Sequence, residues 1–167
     1  REPVLFFTAM IRALDIPNDG HLFLGSTIRS EQHLFAPPSV FNYYPADYSL
    51  YDGFLPAPEF AIFSSAEFIT RANTLTGFLY FGDSAKPYVP DAIGTPIPTL
   101  SAFLPDATNV DALVERLNRL FLHGTMTSTT RRTIDNAVGK VPEAQALRRV
   151  QLAIDLTVMS LQYQVQR

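Results

Sequence analysis

Three carboxylates, Asp47, Asp52 and Glu59, fall close together in one stretch of the chain, with His33 a short way upstream. Two carboxylates facing each other across a groove can cleave a glycosidic bond, one as acid and the other as base or nucleophile. The mechanism is set by whether they stand roughly 5 Å or roughly 6.5–9.5 Å apart. Glu59, Asp47 and His33 are therefore the candidate acid–base set. The competing reading is local. Asp47 and Asp52 suit turn hydrogen bonds, and Glu59 follows Pro58 where an acid favours a helix start. The same stretch holds Tyr43, Tyr44, Tyr48 and Tyr51 between Phe41 and Phe54. Tyrosine offers an apolar face with a polar tip, so these rings could stack on sugars or on another protein. Their other use is to anchor an irregular loop to helices. Tyr48 and Tyr51, beside polar residues and Gly53, are the best suited to outward contact.

Other chemistries find little footing. The three histidines, His21, His33 and His123, form no HExxH or other ligand pair, and the chain has no cysteine. Disulfides, thiolate zinc sites and cysteine nucleophiles are thereby excluded, and no metal site or cofactor is expected. There is no GxGxxG, Walker or GxSxG motif, and Ser64 or Ser65 as a nucleophile lacks an evident base. His123, before Gly124, reads as a favourable charge at a helix end. The net charge is −3 with no block of lysine or arginine, against the concentrated basic face that nucleic acid requires. No apolar run approaches the ~20 residues needed to span a bilayer. Charged residues make up only 17%, beside 13 Phe and 7 Tyr, which suggests that another body covers some of the surface.

These residues need a frame, and the frame reads as helical. A first helix is expected from about Glu2 to Leu14, with Pro3 in the first turn. It is apolar on nearly every face, which predicts a central helix in which Arg12 needs a partner or a route to water. Pro17 to Gly20 is a turn by composition, and a modest helix follows from about His21 to Glu31. Gln32 to Pro58 forms a proline- and aromatic-rich strap. Pro37 and Pro38 force it to enter extended, and its rings are expected to fix it on a single path across helices. Ser64 and Glu67 form a capping box for a helix to about Phe81, with Phe68, Ile69, Ala72, Leu75 and Leu79 at helical spacing. A mid-helix asparagine often bonds loop backbone, so Arg71 or Asn73 is expected to tie down carbonyls of the strap.

Residues 82–109 read as a long irregular excursion with one short helical turn around Leu100–Leu104. Val110 to His123 is the clearest helix, its apolar face running from Val110 through Leu113, Val114, Leu117 and Leu120 to Phe121, with a stop at Gly124. Thr127 or Ser128 caps a helix to Val138. Pro142 opens the last long one, with Leu147, Val150, Ile154, Val158 and Leu161 inward. The class is mainly α: an irregular bundle of about six helices with long ordered loops. The 167 residues are expected to be one helical domain cut from a longer polypeptide.

Several landmarks in order carry a resemblance. They are Arg1-Glu-Pro-Val4, Phe35-Ala-Pro-Pro-Ser-Val-Phe-Asn-Tyr-Tyr-Pro45, Ala57-Pro-Glu-Phe60, Thr70-Arg-Ala-Asn73, Leu122-His-Gly-Thr-Met126 and Ser160-Leu-Gln-Tyr-Gln-Val-Gln166. Together they resemble the C-terminal portion of a bacterial family known as domain of unknown function 1800. The resemblance implies a helical domain of an exported protein, in the periplasm or at the cell surface, commonly encoded beside a sulfatase-like partner. It implies no reaction, cofactor or catalytic residue. Leu161 and Gln162 stand where relatives carry a proline and an acid, so the last helix is expected to run on. A non-catalytic interaction or assembly domain at the cell envelope is the first functional expectation. Its partners would be the remainder of the polypeptide, a sulfatase-like protein or a glycan. The alternative is a polysaccharide hydrolase.

Overall fold

A computed structural model describes residues 1–16, 30, 32–50, 53–81 and 100–165. Among them are six α-helices: α1 (Pro3–Ala13), α2 (Ser65–Phe81), α3 (Val110–Leu122), α4 (Ser128–Gly139), α5 (Ala146–Val158) and α6 (Leu161–Gln164). The mainly α, irregular bundle expected from the sequence is what the chain forms. The turn at 17–20, the helix at 21–31 apart from Ser30, His21, Tyr51, Asp52 and the excursion at 82–99 lie outside the described residues.

Helix α5 is the axis. It packs against α2, α3, α4 and the 3-10 turn Leu104–Thr108, and Val150, Ala153, Ile154 and Val158 are wholly buried. Leu147 and Leu161, expected inward, are largely exposed. The helix begins at Ala146 rather than Pro142, and it ends at Val158. Ser160 then breaks the path by accepting from the N–H of Tyr163 and capping α6, so the last helix turns instead of running on. The turn delivers Tyr163 into the core. Its ring meets Phe6 and Phe121 edge-on, with centroids 5.3 and 5.7 Å away, and its hydroxyl donates to the Phe6 carbonyl at 3.1 Å.

Helix α1 is less central than its composition predicts. Phe6, Phe7, Met10 and Ile11 are buried on one face, whereas Leu5 and Arg12 are exposed on the other. Arg12 thus takes the route to water. In α2 the capping box forms as expected: the Ser64 hydroxyl accepts from the Ala66 N–H, and the Glu67 carboxylate accepts from the Ser64 N–H. Leu75, Phe78 and Leu79 are buried, while Ile69 faces out. Helix α3 is capped by Asn109 and α4 by Thr127. Arg131 ties these two together through Glu115 and Asp111, at 2.6 and 2.9 Å.

The strap departs most from expectation. It folds partly on itself through an antiparallel pair, β1 (Ser49–Leu50) with β2 (Leu55–Pro56), and a further bridge joins Ser39 and Asn42. Asn42 and Gly53 turn with φ of +62° and +91°, the region that asparagine and glycine tolerate. Because backbone bonds close these turns, the rings are not needed to hold the strap. Phe35 is 97% exposed and Phe54 92%, so the expectation that the rings glue the strap onto helices is corrected. Among the strap's described rings only Tyr43 is buried, with Tyr44 and Tyr48 half-buried.

Candidate functional site

Two tyrosines form the foot of the strap, and they act through their hydroxyls. Tyr43 donates to the His33 carbonyl, and Tyr44 donates to the Glu2 carboxylate at the start of α1. The other Glu2 oxygen accepts from Gln32 Nε2 at 3.0 Å, and Gln32 Oε1 accepts the Val4 N–H at 2.7 Å. Burial, reinforced by the hydrogen bond to Glu2, raises the Tyr44 phenol well above its ordinary range. It is therefore a neutral donor at physiological pH.

Behind this foot lies Arg71, fully buried on α2. Nη1 donates to the Arg1 carbonyl at 3.0 Å and to Gln164 Oε1 at 3.2 Å, and Nη2 donates to the Ile62 carbonyl at 3.1 Å. Its guanidinium carbon lies 4.8 Å from the Phe63 ring centre and 5.7 Å from that of Phe6. Nε has no hydrogen-bond partner among the described residues. Desolvation pushes this guanidinium down to about 10, opposed by the nearby charge of Glu67, and it remains charged at neutral pH. Arg71 thus clamps the chain at Ile62, Arg1 and Gln164, the segments flanking the strap rather than the strap itself.

The loop-tying role expected of Asn73 is not realised. Asn73 is exposed and makes no hydrogen bond among the described residues. Asn118 does that work in α3, where its Oδ1 accepts the Met126 N–H at 2.9 Å. Gln32 and Gln164 were likewise not singled out by pattern. Each is a single amide in a polar-looking segment, and only the fold brings it beside Arg71 or Glu2.

Above the clamp opens a cavity of about 510 Å³ lined by Arg1, Glu2, Tyr44, Glu59, Phe60, Ile62, Phe63, Gln164 and Val165. Of the acid–base candidates, Glu59 lines it, whereas Asp47 and His33 do not. Both of the latter are exposed elsewhere on the strap. Pro37 and Pro38 are exposed as well, at the turn that presents Phe35 and Val40. Among the described residues no group of three or more His, Cys, Asp and Glu side chains is arranged to hold a metal ion. No helix among them is long and apolar enough to cross a membrane.

Phe35, Val40 (96% exposed), Phe41, Phe54 and Leu55 project from a strap whose foot is hydrogen-bonded. Between Gln32 and Ser64 the chain has no lysine or arginine. A family model described as a protein of unknown function (DUF1800) matches residues 1–165. No curated protein and no solved structure matches the chain.

Proposed function

The chain belongs to the DUF1800 family, and from that premise we propose that it is a non-catalytic interaction domain of an exported bacterial protein, assembling with a partner at the cell envelope. The observation that carries this reading is the strap: several large apolar side chains almost wholly in water, on turns closed by backbone bonds and a tyrosine foot. Large apolar side chains held in water on one segment suit an interaction surface, and aromatic residues concentrate at the centres of protein interfaces. The remainder of the polypeptide, a sulfatase-like protein or a glycan is the partner class this reading names.

The rival reading is a hydrolase acting on polysaccharide. It needs Glu59 to meet a second acid or base at one point, and Glu59 alone of its three groups lines the cavity. The two readings separate in the full-length protein. Phe35→Ser with Phe54→Ser is expected to lower association with the envelope fraction severalfold while Glu59→Gln and Asp47→Asn leave any turnover of a glycan panel unchanged. Turnover that collapses in Glu59→Gln, with association intact in the phenylalanine variant, would reverse the choice.

A further inference from the structure

The cavity beside the strap has a composition of its own, independent of the interaction reading. Its size suits a small ligand, and such sites are mostly apolar with a few placed polar groups. Here the apolar part is largely aromatic, with Tyr44, Phe60 and Phe63 joined by Ile62 and Val165, and the acidic groups are the two carboxylates Glu2 and Glu59. Aromatic faces attract cations, and a carboxylate adds to that attraction. We propose that this cavity binds a small organic cation, an alkyl- or trimethylammonium group, seated on the Tyr44 and Phe60 rings against the Glu59 carboxylate.

Arg1 also lines the cavity, but the resident cations already have partners. The Arg1 guanidinium lies over the ring of Tyr163, 4.1 Å from its centre, and Tyr163 lines a neighbouring groove instead of this cavity. The Arg1 backbone nitrogen donates to the Gln164 carbonyl. Arg71 is buried against Phe63 with its Nη donors spent on three oxygens, and Glu67, one turn away, offsets part of its charge. Glu2 has both carboxylate oxygens bonded, to Tyr44 and Gln32. Glu59 is different: exposed, it has neither ion pair nor hydrogen bond among the described residues. Among the described residues that line the cavity, it is the carboxylate left without a partner. An anion would meet the Glu2 and Glu59 carboxylates there, with the Arg1 guanidinium held over Tyr163, and a neutral alcohol would gain nothing from Glu59.

The test is calorimetric titration of the full-length protein with butyltrimethylammonium, butyrate and butanol. The cation is expected to bind saturably at millimolar concentration, and the other two are not. Glu59→Gln and Phe60→Leu should each weaken the cation about threefold or more. Asp47→Asn removes the same charge outside the cavity and should leave affinity unchanged. Equal binding of butanol or butyrate overturns the proposal, and the wild-type comparison alone decides this even where a variant fails to fold. Loss of affinity in Asp47→Asn equal to that in Glu59→Gln, or no saturable cation binding, overturns it as well.

Discussion

Arg71 shows how much one buried side chain can organise. Its guanidinium serves three oxygens from segments far apart in sequence, at Arg1, Ile62 and Gln164. Removing it leaves these acceptors buried without donors, and each such group is costly. Arg71→Met is therefore expected to destabilise the fold by about 3 kcal/mol or more, and Arg71→Lys by less, read from urea unfolding. Had the guanidinium been dispensable, both variants would unfold at the wild-type midpoint. Tyr163 gives a pH signature. Burial raises its phenol to about 12, whereas the unfolded phenol titrates near 10. A raised acid keeps its proton longer when folded, so its contribution is intact below about pH 10 and declines as pH rises toward 12. The comparison of wild type with Tyr163→Phe isolates the tyrosine, and the variant should lose less stability across that range. Glu115 governs the acid side. Hydrogen bonds from Arg131, Arg119 and Asn118 hold its carboxyl at about 2. Its contribution is complete above the ordinary glutamate range near 4.3 and fades as pH falls toward 2. Thermal melts between pH 5 and 2 should therefore show a shallower decline for Glu115→Gln.

At the scale of elements, capping and stop signals were the legible part. Ser64 with Glu67, and Thr127, are short-range chemistry, decided within one turn, and a sequence states such chemistry directly; the Asn109 cap of α3 appears only in the structure. Asn109→Ala should cost about 1 kcal/mol. His123 was read as a charge on the end of α3. The backbone adds a different constraint, since His123 itself sits at φ +52° with Gly124 following at +81°. His123→Gly should therefore be neutral or stabilising by up to about 1 kcal/mol; clear destabilisation would restore the charge explanation. What could not be read was the outward side of each helix. Ile69, Leu147 and Leu161 share helical spacing with buried neighbours, and periodicity alone cannot say where the packed face stops. The strap failed for a related reason. Its proline and aromatic content identified an irregular segment, but turns at Asn42 and Gly53 let it close by backbone bonds, freeing Phe35 and Phe54 to face water. Tyr44 and Gln32 tie the strap to the start of α1, and Tyr43 closes the strap on itself. Tyr43→Phe should cost about 1 kcal/mol through the lost bond to the His33 carbonyl.

For the whole molecule, the sparse charge read from composition has a structural counterpart. A core built along α5 holds the bundle, and a separate apolar surface is left on the strap rather than folded into that core. The candidate site was only partly legible: Glu59 and Tyr44 meet at the cavity, while Asp47 and His33 stand apart from it. Glu2, Gln32 and Gln164 join the site through contacts between residues far apart in sequence, which no local motif encodes. The account depends on the strap's exposed side chains being the working surface. Photo-crosslinking in cells producing the full-length protein examines this, with benzoylphenylalanine placed in turn at Phe35, Val40 and Phe54, and at the exposed controls Ile69 and Leu147. The strap positions are expected to capture one common partner that the controls do not. Crosslinks as frequent from Ile69 and Leu147, or none from the strap, would contradict it.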